Sequence, residues 1–401
     1  MKKKIKILRI IPTIDPIFGG PSKTIIDSSL MLIKKGFDVD ILTGEQKGSL
    51  RKNYLKKDYV FKSNKIKIIN KGKHTLGDYC FNMSQFKWLK KNRNKYDLTI
   101  VHGLWQFSTL MARILLKKKY FVFIHGQLDP WFNENFFKRL KKQIYWFFFE
   151  KKNLLNSKSI LVTSRGEKLS LNKTFVNTND LNKKVVRYGI IKPKINKKKI
   201  LIEFYKRFPK LKNKNFYLFL GRFHEKKGCD ILIRSIKQIE KKFNDTILFV
   251  GPQTGSDYEN KIKRLSIKYN LNNKIIFSDM LLDEKKWGAI LASKAMVLSS
   301  HGENFGVSLV ESMCLGKPVL TTNKVNIFKE ILYDKAGYIS NDNVNDFAKI
   351  LKKFNKLKDN ELKILSNNAL KCFAKNFDLS KDKNSLHYLL KKNLVKNKQC
   401  L

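Results

Sequence analysis

Acidic residues are scarce in this chain of 401: 33 Asp and Glu stand against 83 Lys and Arg, a formal charge of +50. Cysteine is scarce too. The five (Cys80, Cys229, Cys314, Cys372, Cys400) are odd in number and scattered, and no pair has zinc-ligand or redox spacing. That excludes a disulfide framework and fits a reducing compartment. Nowhere do about 18 uncharged apolar residues run together, so no transmembrane helix is expected. Met1–Ile11 begins with lysines but is interrupted by Lys6 and Arg9 and ended by Pro12 and Asp15, so it reads as a buried strand and not a signal peptide. No Asp-x-Asp motif is suited to holding a divalent cation. No zinc finger or RNP-like stretch accompanies the basic charge, which argues against nucleic acid as partner. The charge then reflects a lysine-rich composition on every exposed face, with attraction to an anionic membrane as a second contributor.

What is present is enough apolar residue, 42% of the chain, to bury cores, over a length that suits about two domains. Short apolar runs alternate with longer amphipathic ones. Ile5–Ile11, Asp38–Thr43, Leu98–Val101, Tyr120–Ile124 and Ser159–Thr163 read as strands with helices between them, Ser22–Lys35 being the first helix. The pattern lapses after Val185–Tyr188, at Gly189 and the basic, Pro-containing Lys192–Lys199. It resumes with Phe216–Leu220, Ile247–Val250, Ile275–Phe277, Met296–Leu298 and Val319–Thr321. Alternation of this kind predicts parallel βαβ units with strands buried on both faces. The expected organisation is α/β: a first doubly wound domain over 1–190, a linker over 191–215, a second domain over 216–378, and a closing helix and tail over 379–401. Ligands of such sheets bind at the carboxyl ends of the strands.

The chemistry concentrates there. After Met296–Leu298 comes Ser299-Ser-His-Gly-Glu-Asn-Phe-Gly306, then a helix expected from about Phe305, closed by Gly316 and Pro318. Free backbone N–H groups at its start make a seat for a phosphate. Glu303 and Glu311 are eight residues apart, about 12 Å if helical throughout. Glycosidase carboxyls stand roughly 5–9.5 Å apart, so binding two parts of an extended ligand suits this spacing better. From spacing alone, the alternative remains that Glu311 caps or pairs on the surface and Glu303 is an ordinary loop acid. After Phe216–Leu220 comes Gly221-Arg-Phe-His-Glu-Lys-Lys-Gly228, where Arg222 and Lys227 can converge on a diphosphate without a metal. Phe18-Gly-Gly-Pro21 lets backbone approach a ligand at Gly19 and Gly20, with Ser22 opening the helix; an ordinary turn is the alternative. Two His-Gly pairs, at His102 and His125, end strands in the first half.

In this order the four segments resemble the retaining glycosyltransferases of family GT4, with the GT-B fold of two Rossmann-like domains facing each other across a cleft. The resemblance rests on E-x7-E (Glu303 to Glu311), Gly-Arg-x4-Lys-Gly (Gly221 to Gly228), Gly19-Gly20-Pro21 and the His125 segment, and spans nearly the whole chain. It implies that Arg222 and Lys227 hold the donor diphosphate, with Gly221 and the backbone at Asn304, Phe305, Gly306 and Val307 assisting. It implies that Glu303 binds sugar hydroxyls, that Glu311 binds the ribose, that Gly20 lines the phosphates and that His125 lies near the donor sugar and acceptor. Catalytic roles thus fall to His125, Arg222, Lys227 and Glu303; no metal or other cofactor is implied beyond the NDP-sugar co-substrate. Where many relatives carry a glycine, this chain reads Ser278-Asp279-Met280, which leaves the base open. The stretch His125-Gly-Gln-Leu-Asp-Pro-Trp131 is similar to a subgroup of exopolysaccharide and lipopolysaccharide enzymes that act on glycan or lipid-linked acceptors. A cytoplasmic enzyme with peripheral contact to the inner membrane face is therefore expected. Phe147–Phe149, flanked by lysines in a helix over Phe136–Leu155, either touches lipid or is buried in the first domain. A GT-B epimerase or phosphorylase, and a basic binding protein without catalysis, are the competing readings.

Overall fold

The computed structural model describes residues 4–15, 18–45, 66–128, 136–175, 178–381 and 386–398. The chain divides into two compact units, one of residues 1–188 with 382–401, the other of residues 189–381. The first holds seven strands, β1 (Ile5–Ile10), β2 (Phe37–Glu45), β3 (Lys67–Lys73), β4 (Leu98–His102), β5 (Tyr120–Phe123), β6 (Ile160–Val162) and β7 (Lys183–Val185). They lie in the order β3-β2-β1-β4-β5-β6-β7, and every pair is parallel. The second holds β8 (Phe216–Leu220), β9 (Thr246–Val250), β10 (Ile275–Ser278), β11 (Ala295–Leu298), β12 (Val319–Thr322) and β13 (Gly337–Ser340). Their order is β10-β9-β8-β11-β12-β13, again all parallel. Both sheets have the Rossmann order, which reverses beside the first strand and opens a crevice at that switch point.

The expected strands are present because their residues are apolar on both faces: every residue of β4, β5, β11 and β12 is buried. Phe219, Phe249 and Phe277 stand in register on β8, β9 and β10, with ring centroids 5.2 and 5.1 Å apart. Burying a Phe side chain contributes about 1.5–3 kcal/mol, and here it also aligns the loops that leave these strands. The reading from sequence lacked β3 and β13. Both are edge strands with half-exposed residues, so neither carries a continuous apolar run.

The stretch 191–215, expected as a linker, instead contributes a helix, Lys197–Arg207, to the second unit. Asn196 caps it, accepting from the Lys199 N–H. The helix packs so closely on the helix Asp283–Ala292 that a Cβ at Gly288 would lie 2.2 Å from the Ile200 carbonyl. Its lysine-rich exposed face concealed two buried positions, Ile200 and Phe204. The real crossing is at Gly189, where a Cβ would lie 2.0 Å from the Phe377 carbonyl, beside the bridge of Ile190 to Asp378. After a second crossing near residue 381, the helix Leu386–Lys398 returns to the first unit and packs against the helix Gly20–Lys34, burying Leu386 and Leu390.

Candidate active site

In the second unit the switch point lies between β8 and β11, and the two loops leaving these strands are bonded together. Ser300 Oγ and the His301 N–H donate to the Lys226 carbonyl, at 2.6 and 2.9 Å, and Ser299 Oγ donates to that of Gly228 at 2.6 Å. Gly228 has φ +61°, and a Cβ there would lie 2.1 Å from the Ser299 carbonyl, so only glycine fits. This joint carries Lys227 to Glu303: the ammonium and the carboxylate form a half-buried ion pair. Glu303 is held from the other side by β12's loop, its N–H donating to Lys324 and its carbonyl accepting from Asn326.

Burial, with Arg222 and Lys226 close by, pushes Lys227 down to about 7; contact with the Glu303 carboxylate works in the opposite sense. Arg222 itself projects from the end of β8 and is exposed, and it has no ion-pair partner among the described residues. Gly221 donates to the Val250 carbonyl at 3.0 Å, fixing the turn from which Arg222 leaves.

The helix expected from about Phe305 begins later, at Val307, because Gly306 adopts φ +68° as its N-cap. Phe305 is buried and meets Phe377 edge-on at 5.7 Å, while Asn304 Oδ1 accepts from Asn326 at 3.4 Å. Glu311 lies on the buried face of Val307–Cys314, where Lys286 Nζ donates to it at 2.8 Å. Neither a surface acid nor an isolated one, it belongs to an ion pair that sequence reading missed. A lysine on a helix 25 residues upstream carries no local signal. Asp279 Oδ1 accepts from the N–H groups of Gln253 and Met280, so in the Ser278-Asp279-Met280 loop a carboxylate organises the backbone.

The first unit gathers a different set at its own switch point, where β1, β4 and β5 end. Arg9 is buried on β1, its Nε and Nη2 at 3.2 and 3.0 Å from His102 Nε2. Its Nη1 donates to the Ile25 carbonyl, Ser28 Oγ and Ser29 Oγ of the helix Gly20–Lys34. His102 Nδ1 lies 2.8 Å from His125 Nε2. His125 has φ +49°, uncommon for a residue with a side chain. The Glu167 carboxylate holds that turn, accepting from the N–H of Gly126 at 2.6 Å and from Thr163 N–H and Oγ. The Phe123 ring stacks on His125 at 4.6 Å, 10° from parallel. Burial lowers both imidazoles, His125 to about 3, and the Arg9 charge adds to the effect. Sequence reading picked out both histidines but took Arg9 only as a break in an apolar stretch. A charge inside a strand buried on both faces is itself the signal, since it must find partners there.

Gly20 opens the helix Gly20–Lys34, with Gly19 at φ +104° as N-cap. Ser22 is not the cap expected of it; it sits inside the first turn and donates to the Thr13 carbonyl at 3.1 Å. Phe147, Phe148 and Phe149 are exposed, at 68%, 55% and 43%, which overturns the expectation that they could be buried. A π turn over Trp146–Glu150 turns Trp146 and Glu150 inward and the three phenylalanines outward. No helix among the described residues is long and apolar enough to cross a membrane. Asp38-Val39-Asp40 lies within β2, where Asp40 accepts from Tyr96 Oη at 2.7 Å. Among the described residues no three His, Cys, Asp or Glu side chains group as metal ligands.

Two Rossmann-order sheets, the second with a basic loop bonded to a Glu-bearing loop, define a doubly wound α/β protein. Residues 202–371 match the model of the glycosyl transferases group 1, and residues 18–181 match that of glycosyltransferase family 4. The chain belongs to this family of glycosyltransferases. It is 26% identical over 236 residues to the alpha-1,3/1,6-mannosyltransferase ALG2 of Dictyostelium discoideum, covering 55% of this chain and 51% of that protein. It is 24% identical to the O-antigen chain mannosyltransferase RfbU of Salmonella typhimurium, covering 54% and 57%. In both, the match spans little more than half of the relative's length. The structure of Anabaena HepE with UDP and glucose is similar in fold, with a TM-score of 0.74 at 16% identity, over 99% of this chain and all of that one. The fold is GT-B.

Proposed function

We propose that this chain transfers a sugar, with retention of anomeric configuration, from an NDP-sugar to a glycan or lipid-linked oligosaccharide during surface-polysaccharide assembly. The observation that carries this reading is the Lys227–Glu303 pair beside the exposed Arg222, at the strand ends where such folds take their ligands. A donor diphosphate divides the pair. Its charge draws on Lys227 and Arg222, and Glu303 is released to accept hydrogen bonds from sugar hydroxyls. As the glycosidic bond breaks, both cations meet charge growing on the leaving phosphate. A phosphate oxygen takes the acceptor's proton on the same face, so no protein carboxylate has to act as nucleophile. The N–H groups at Gly306 and Val307 supplement this, Gly20 lines the phosphates, and Glu311, held by Lys286, faces the ribose. His125 serves the donor sugar and the incoming acceptor.

The names of the relatives favour mannosyl transfer to surface or lipid-linked glycans, and the UDP bound to HepE favours a uridine donor; both are extended to this chain as proposals. Peripheral attachment through Phe147–Phe149 and neighbouring lysines belongs to the same reading. The test is release of NDP from a panel of labelled NDP-sugars, with and without EDTA and with lipid-linked acceptors. Turnover of one donor, insensitive to EDTA and with the product's anomeric configuration unchanged, is expected. Turnover of none would remove the enzymatic reading in favour of a binding protein.

A further inference from the structure

The Arg9–His102–His125 chain has a direction. Arg9 keeps its proton at neutral pH, since burial lowers it only to about 9, and every guanidinium N–H is a donor. Two of them, on Nε and Nη2, point at His102 Nε2. That nitrogen therefore carries a lone pair, and the proton of a neutral His102 is on Nδ1. Nδ1 in turn faces His125 Nε2 at 2.8 Å, so it donates and His125 Nε2 accepts. The two imidazole planes are 20° from parallel and their centroids 5.1 Å apart, which with an N···N distance of 2.8 Å is the separation of rings joined end to end by one hydrogen bond. His125 is left with its proton on Nδ1. This nitrogen has no protein partner among the described residues, and the ring is half-buried. Protonating Nε2 as well would set two N–H groups against each other, as would the reversed tautomer.

We infer that Arg9 and His102 are positioning residues that hold His125 as its neutral Nδ1–H tautomer, so that His125 meets substrate oxygen as a hydrogen-bond donor and not as a base. The inference rests on the proposed function for its substrate, an oxygen of the donor sugar, the leaving phosphate or the acceptor; the tautomer itself does not. Phe123 stacked on the ring and Glu167 at the following amide keep the imidazole from rotating away. A proton-donating neutral group suits an oxygen that gains negative charge, without adding a full charge of its own.

The experiment is a long-range 1H–15N correlation spectrum of the full chain, labelled with 15N-histidine, at pH 7. His102 and His125 are assigned by loss of signals in His102→Gln and His125→Asn. Both rings are expected to show a protonated Nδ1 and a bare Nε2, unlike free histidine, which favours Nε2–H. His102→Gln can accept from Arg9 through its carbonyl and donate to His125 through its amide, so the His125 pattern and most of kcat should survive. His102→Leu cannot; His125 should revert toward Nε2–H, and kcat should fall roughly tenfold while donor KM moves little. A wild-type His125 protonated on Nε2, or on both nitrogens, overturns the inference, as do equal losses in the Gln and Leu variants. The spectrum needs no substrate, so a chain that turns over no donor refutes the proposed function while leaving the tautomer separately decided.

Discussion

At the switch point of the first sheet the two histidines are neutral and bonded to one another, with Arg9 on one side and the Glu167 carboxylate at the following turn; at that of the second, Lys227 and Glu303 are opposite charges in contact. The contrast extends outward. In the first unit Glu150 is buried beside Thr109 and Asn153, with its carboxyl pushed up to about 7. In the second, Glu311 is buried against Lys286 and Glu259 against Lys263. Glu150 answers the cost of its burial by shifting its protonation, Glu311 and Glu259 by taking a counter-charge. The second answer suits a ligand carrying several negative charges, because a paired lysine can be handed over to it. The first suits a neutral sugar or an oxygen that is charged only fleetingly.

The sharpest way to break the comparison is to remove one member of the charged pair. Glu303→Ala and Lys227→Met should each lower kcat roughly 10²–10³-fold, with circular dichroism unchanged; near-normal turnover in steady-state assays would end their assigned roles. Stability should respond to the joint between the loops. Gly228→Ala places a Cβ against the Ser299 carbonyl and should cost about 3 kcal/mol or more, whereas Gly255→Ala, with φ +68° but nothing within 4 Å, should cost only about 1 kcal/mol. Paired urea melts measure the difference.

A third test addresses the neutral side. Because Glu150 binds its proton more tightly in the folded chain, it lowers stability as pH rises from 4.5 to about 7 and leaves it lower above that. Glu150→Gln should therefore stabilise by about 1–3 kcal/mol above pH 7, and by little below pH 4.5. Equal effects at both pH values would show that the carboxyl is ionised when buried. The smallest effect is expected at the surface: Phe147→Ser with Phe148→Ser should weaken binding to anionic vesicles several-fold in a flotation assay, and leave turnover of a soluble acceptor unchanged.

Much of this was legible in the residues. Strands buried on both faces announce themselves as apolar runs, and the segments Gly221–Gly228 and Glu303–Glu311 stood at strand ends with the residue types a diphosphate and a sugar require. Edge strands β3 and β13 were not legible, because an edge carries polar residues and a short run of Gly337-Tyr-Ile-Ser340 looks like a turn. Nor was the helix Lys197–Arg207, whose lysines and arginine outnumber its buried residues.

By itself, then, the sequence determined the alternation of strands and helices, the two sheets, and the loops in which the chemistry lies, since these depend on local periodicity and turn residues. Partnership was decided only in three dimensions. That Lys227 meets Glu303, that Lys286 meets Glu311 and that Arg9 sets the proton on a histidine 116 positions later through His102 all depend on strand order. Strand order arises from packing the whole sheet, and no window of sequence contains it.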